Sequence, residues 1–116
     1  MPSILIVEDN PDIALLYTRA LMRHENDIVH SAEEAFDVLS RQQFDLVILD
    51  MHLPKESGIR VLEYVRSEQY DANPKVFVIS ADDLLRRDCE DIGIDSWMTK
   101  PVEIDVLMQT VEALLQ

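Results

Sequence analysis

Five side chains stand where apolar runs give out. Glu8 and Asp9 follow Ile4-Leu5-Ile6-Val7, and Asp50 follows Leu46-Val47-Ile48-Leu49. Ser80 follows Val76-Phe77-Val78-Ile79, and Lys100 follows the stretch from Asp95 to Thr99. If these runs are neighbouring strands, three carboxylates, a hydroxyl and an ammonium converge on one rim. Two carboxylates 4 Å apart repel by about 4 kcal/mol at an effective dielectric of about 20. Such a cluster takes up protons or holds a cation. Oxygen ligands favour a hard ion, and Mg2+ is the usual one where phosphate is involved. Mg2+ beside a free carboxylate, with a lysine and a hydroxyl opposite, makes a receptor for a phosphoryl group that Asp50 attacks. Taken singly the residues read more plainly: Asp50 as a turn cap, Ser80 as a strand-end residue, Lys100 as solvated. Their joint placement carries the chemistry.

The elements that would position them are legible as an alternation. Short, unbroken apolar runs suit strands buried on both faces, as in a parallel sheet covered by helices. After Val7, Asn10 is set to cap a helix with Pro11 in its first turn, and Ile13, Leu16, Tyr17, Ala20 and Leu21 carry the helical spacing to about His24. Residues 27 to 30 offer only Ile28 and Val29, a weak strand suited to a sheet edge. Ser31 and Glu34 form a capping box ahead of Ala35, Phe36, Val38 and Leu39. The central strand spans 45 to 49. Ser57-Gly58 opens a third helix through Ile59, Leu62 and Val65, and Tyr70 to Pro74 reads as a polar loop. Asp82 or Asp83 is expected to cap a fourth helix carrying Leu85, Cys89 and Ile92, with Gly93 ending it. The strand 95 to 99 and an amphipathic helix from Ile104 to Leu114 close the chain. Five strands alternating with five helices predict one parallel sheet with helices on both faces. The order 2-1-3-4-5 puts the weak second strand at an edge.

Length and charge narrow the function classes. A chain of 116 residues is one domain by size, expected to span 1–116. A net charge of −13, from 23 acidic and 10 basic residues, argues against direct nucleic-acid binding. No apolar stretch approaches the roughly 20 residues of a membrane span and no signal peptide opens the chain, so no membrane partner is expected. One cysteine, Cys89, excludes an internal disulfide and fits a reducing, cytoplasmic compartment; the expected role of Cys89 is buried packing. His24, His30 and His52 show no metal spacing, and the first two read as surface or strand-end residues.

In this order, on successive strand ends, Glu8-Asp9, Asp50, Ser80 and Lys100-Pro101 closely resemble the receiver domain of bacterial two-component response regulators, chemotaxis regulators among them. The resemblance covers the whole chain and implies a flavodoxin-like (βα)5 fold. It implies that Asp50 is the phospho-acceptor, and that Asp9, with Glu8 acting through water, Asp50 and the backbone carbonyl of His52 hold Mg2+. Ser80 matches the switch hydroxyl, Trp97 the aromatic switch position, and Lys100 the phosphate-pairing lysine, with a cis bond to Pro101. Leu53-Pro54 and Gly58 match the loop after the acceptor. Departures are modest: Glu8 stands where Asp is common, Val102 where Phe is common, and Trp97 where Tyr or Phe is common. His52 and Asp82 occupy positions that in this family affect hydrolysis of the phosphoryl group. The implied partners are a sensor histidine kinase or phosphotransfer protein, and a downstream protein or output domain that reads the face made by the fourth helix, fifth strand and fifth helix.

Three other functions compete. A Mg2+-dependent phosphatase with an aspartyl nucleophile usually carries a second acid two residues later, where this chain has His52. A pseudo-receiver would not need the full set Asp9, Asp50, Ser80 and Lys100. A flavodoxin-like electron carrier would need a Ser/Thr/Gly-rich loop after the first strand, where Glu8-Asp9-Asn10-Pro11 stands instead. The expected protein is a phosphorylation switch and not a turnover enzyme.

Overall fold

Strands and helices alternate strictly along the chain. The computed structural model describes residues 2–116. The elements are β1 (Ser3–Val7), α1 (Pro11–Ala20), β2 (Glu25–Val29), α2 (Ala32–Leu39), β3 (Leu46–Leu49), α3 (Gly58–Val65), β4 (Lys75–Ser80), α4 (Arg86–Ile92), β5 (Ser96–Thr99) and α5 (Ile104–Leu114). All strand pairs are parallel, in the order β2-β1-β3-β4-β5. The alternation and the weak edge strand are those the hydrophobic pattern predicts, and the strand order is the one the family resemblance implies.

Side-chain alternation along the strands builds two cores. Leu5, Val7, Val47, Leu49, Val76 and Val78 pack on the side of α2, α3 and α4. Ile4, Ile6, Leu46, Ile48, Phe77 and Ile79 pack on the other side, against Tyr17 and Leu21 of the α1 region and Leu107 and Val111 of α5. The edge strand β2 alternates exposed Glu25 and Asp27 with half-buried Asn26 and Ile28. Charge on an edge discourages pairing with another chain.

Local signals at the helix starts hold in most places. The Asn10 side-chain oxygen accepts from the amides of Asp12 at 2.9 Å and Ile13 at 3.2 Å. Ser31 caps α2 through the Glu34 amide at 3.1 Å. Its box differs from expectation by one residue: the Glu34 carboxylate accepts from the His30 amide at 2.7 Å, not from that of Ser31. The first helix ends at Ala20 rather than near His24, because Leu21 turns out of helical geometry (φ −110°, ψ 20°). Neither Asp82 nor Asp83 caps α4. That helix starts later, behind Leu85, with no side-chain cap, and the Asp82 carboxylate instead accepts from the Leu84 amide at 3.1 Å.

Two further expectations change. His24 is no surface residue: its side chain is 13% exposed and its ring lies 2.7 Å from the Glu112 carboxylate on α5. Tyr70, expected in a polar loop, is buried, donating from its hydroxyl to the Gln42 carbonyl and accepting from the Phe44 amide, both at 3.1 Å. Among the described residues no helix is long and apolar enough to cross a membrane.

Gly58 begins α3 against the turn after β3. Its amide donates to the Met51 carbonyl at 2.9 Å, and a Cβ there would stand 2.1 Å from the Asp50 carbonyl oxygen. Gly58→Ala should therefore lower stability by about 1–3 kcal/mol, the usual cost of overpacking, as measured by urea denaturation. A loss under about 0.5 kcal/mol would mean that this turn yields freely. Burial, with Asp88 and Glu90 adding to it, pushes the Cys89 thiol up to about 11. In the folded protein Cys89 should resist an aromatic disulfide reagent at pH 8 and react only as fast as the chain opens. Labelling within seconds without denaturant would contradict that burial.

Candidate functional site

The alternation that builds the two cores also aims the site. Ile6, Ile48 and Met98 all belong to the α1/α5 side of the sheet. Two residues further along each strand stand Glu8, Asp50 and Lys100, so their side chains rise on that same side. Val78 and Trp97 are paired across β4 and β5 and pack on the α4 side, and Ser80, two residues after Val78, follows them. The site is thus approached from both faces, Glu8, Asp50 and Lys100 from one and Ser80 from the other.

The geometry is tight. Glu8 is 2% and Asp50 4% exposed, whereas Asp9 is exposed to solvent. One carboxylate oxygen from each of the three lies within 4.8 Å of the others. The Lys100 ammonium donates to Glu8 Oε1 at 2.7 Å and to Asp50 Oδ2 at 2.9 Å. The second oxygen of each acid is also held: Asp50 Oδ1 accepts from the His52 amide at 3.0 Å, and Glu8 Oε2 from the Asn10 amide at 3.1 Å. Ser80 is 1% exposed, and its hydroxyl is buried without a hydrogen-bond partner. An orphaned buried hydroxyl costs stability unless a ligand supplies its partner.

Charge and burial work against each other here. Burial pushes the Glu8 carboxyl up, opposed by the hydrogen bonds from Lys100 and Asn10, with nearby Asp50 adding to the rise. For Lys100 burial disfavours the ammonium, but the hydrogen bonds to Glu8 and Asp50 outweigh it, and its pKa is raised. The lysine is therefore a firmly charged plug among acids that prefer a cation beside them. The carboxylate set and the orphaned Ser80 hydroxyl fit a hard cation together with an oxyanion.

All the residues singled out in the sequence gather at this end of the sheet except Trp97, which lies half-buried within β5, its indole N–H 3.4 Å from the Thr99 hydroxyl. The Lys100–Pro101 bond is cis. His52 Nε2 lies 3.0 Å from the Asp82 carboxylate, a link across the two loops flanking Asp50. Two contributors have no signal in the sequence taken by itself. The His30 ring lies 2.9 Å from the Glu8 carbonyl, which follows once Val7 and Val29 are in register. Tyr17 on α1 is buried, which pushes its phenol up; Lys100 opposes that rise, while Glu8 and Asp50 add to it. Its helical spacing marked it only as a core residue.

Known proteins resemble this chain along nearly its whole length. Residues 4–112 match the response regulator receiver domain family. Response regulator ArlR of Staphylococcus haemolyticus is 31% identical over 120 residues, with all of this chain and 53% of that protein covered. The Staphylococcus aureus protein of the same name is 28% identical with the same coverage. The chain spans about half the length of these curated relatives. The response regulator TrrA of Thermotoga maritima, solved in complex with Mg2+-BeF, superposes with a TM-score of 0.86 at 31% identity, covering 99% of this chain and 100% of that one. A CheY-like receiver domain from Methanospirillum hungatei superposes at 0.89 over 99% of this chain and 94% of that one, and at 24% identity it speaks to the fold alone. With the match running from β1 into α5 and the acids, hydroxyl and lysine on successive strand ends, this chain belongs to the response regulator receiver domains of two-component systems.

Proposed function

We propose that Asp50 accepts a phosphoryl group from the phosphohistidine of a sensor kinase or phosphotransfer protein, and that the domain passes this event to a partner through α4, β5 and α5. The observation that carries the reading is the single cluster of three carboxylates, one ammonium and one partnerless buried hydroxyl. Glu8, Asp9 and Asp50, with the His52 carbonyl, would hold Mg2+, whose charge neutralises phosphoryl oxygens.

The chain's own residues divide the rest of the work. An oxygen of Asp50 attacks phosphorus as the P–N bond to the donor imidazole breaks. That bond's electron pair stays on the imidazole nitrogen, which takes a proton from solvent. Lys100 lets go of Asp50 Oδ2 and pairs with a phosphoryl oxygen, keeping its positive charge close to the reacting atoms. The Ser80 hydroxyl donates to another phosphoryl oxygen and so gains the partner it lacks. Phosphorylation takes the acceptor from one negative charge to about two. Ser80 and Trp97 share the α4 side of the sheet, so a shift of Ser80 opens room for Trp97 and changes the surface that a partner meets. Moving such a switch from 1:99 to 99:1 needs a bias of about 5.5 kcal/mol.

Two experiments test this. Asp50→Asn should abolish labelling by radioactive acetyl phosphate in the presence of Mg2+; labelling at the wild-type level would remove Asp50 as acceptor. Lys100→Gln frees Glu8 and Asp50 of their ammonium, so Mg2+ should bind at least about fivefold tighter, about 1 kcal/mol, by calorimetry or by titration of Trp97 fluorescence. Weaker binding in the variant would refute competition between ammonium and metal.

A further inference from the structure

The three acids of the cluster are not held alike. The Glu8 and Asp50 carboxylates are each fixed twice, by the Lys100 ammonium and by a backbone amide. Asp9 is exposed, and among the described residues its carboxylate makes no ion pair and no hydrogen bond. Yet one of its oxygens stands within 4.8 Å of oxygens of Glu8 and Asp50. A side chain this short takes its place from its own backbone. Whatever fixes the Glu8–Asp9 peptide therefore also aims the Asp9 carboxylate.

That peptide is pinned to the end of β2. The Glu8 amide donates to the Val29 carbonyl at 3.0 Å. On the other side of the same residue, the Glu8 carbonyl lies 2.9 Å from His30 Nδ1. A carbonyl can only accept, so Nδ1 carries the proton and donates it. The atoms from the Glu8 Cα to the Asp9 Cα share one plane. A bond to the carbonyl oxygen thus restrains the plane that ends at the Asp9 Cα. His30 is itself anchored: its amide donates to Glu34 Oε1 at 2.7 Å, and the Glu34 amide donates to the Ser31 hydroxyl at 3.1 Å. The start of α2 holds His30, and His30 holds the turn that carries Asp9. No His30 nitrogen belongs to the clustered ligand atoms, so its influence runs through the backbone.

We propose that His30 is a positioning residue for the cation site: its ring N–H holds the Glu8 carbonyl and so sets where the Asp9 carboxylate meets Mg2+. This role rests on the reading of Glu8, Asp9 and Asp50 as Mg2+ ligands. Mg2+ demands near-octahedral ligands at about 2.0–2.1 Å, whereas Ca2+ accepts irregular sets at about 2.3–2.6 Å. Freedom at one carboxylate is therefore felt more by Mg2+ than by Ca2+. A general loosening of the fold would weaken both ions alike, which gives the role a signature of its own.

Calorimetric titration of the whole chain with Mg2+ and, separately, with Ca2+ reads that signature. His30→Ala should weaken Mg2+ at least about fivefold, since losing a group that orients a metal ligand costs affinity without removing the ligand. Ca2+ should weaken by less than about twofold. His30→Asn, whose side-chain amide donates from nearly the place of Nδ1, should recover most of the Mg2+ affinity. Unchanged Mg2+ affinity in His30→Ala would overturn the proposal, and so would an equal loss for both ions. A Mg2+-selective loss that His30→Asn leaves in full would remove the ring hydrogen bond as its cause. If His30→Ala does not fold, Glu34→Ala, which frees the His30 amide, serves the same arm with the same selectivity expected. Absence of Mg2+ binding to the wild type would refute the reading of the three acids and this role with it; wild-type binding that the His30 variants leave untouched would refute the role alone.

Discussion

The Lys100 ammonium, 2.7 Å from Glu8 and 2.9 Å from Asp50, is the interaction on which this end of the molecule depends. Two nearly buried carboxylates side by side are unfavourable unless positive charge stands with them. Lysine meets that need as a single compact charge on a flexible stem, so the same group that steadies the acids can also leave them. An arginine would bind both acids in a fixed fork and release them less readily. Under the proposed phosphoryl transfer, the site is stable because of a contact that the chemistry would have to break.

The sheet supplies the precision. Parallel pairing sets β1, β3, β4 and β5 side by side in register, with β1 and β3 ending level and β4 and β5 ending together two residues beyond them. Residues far apart in the chain, such as Glu8 and Lys100, therefore meet without any long loop to guide them. What the loops add is local: the His52 amide on Asp50, the Asn10 amide on Glu8, and the close approach of Gly58 to the Asp50 carbonyl.

Much of this is legible in the sequence itself. Runs such as Leu46-Val47-Ile48-Leu49 are too short and too uniformly apolar for surface helices, and their polar ends mark the rim directly. Residues whose role depends on distant register were not legible. The placement of His30 against the Glu8 carbonyl follows from the β1–β2 pairing, and that of His24 against Glu112 from the packing of the last helix near the end of the first. Tyr70 sits among polar turn residues, so its burial has no local signal; it follows from the Gln42 carbonyl and Phe44 amide that its hydroxyl bonds across the fold. The start of α4 failed for another reason. Asp82 and Asp83 are good cap residues, but Asp82 is drawn toward His52 and the Leu84 amide, and the helix begins without either.

The two cores have separate duties. One backs the acids and the lysine through Ile6, Ile48 and Met98, while the other backs Ser80 and Trp97 through Val78. Under the proposed switch, a sheet one residue thick lies between the groups that would receive the phosphoryl group and the side of α4 that would respond. Changes in packing under α1 would then act first on Glu8 and Asp50, and changes under α4 first on Ser80 and Trp97. Descendants of one ancestral domain can in this way change audience without relearning the chemistry.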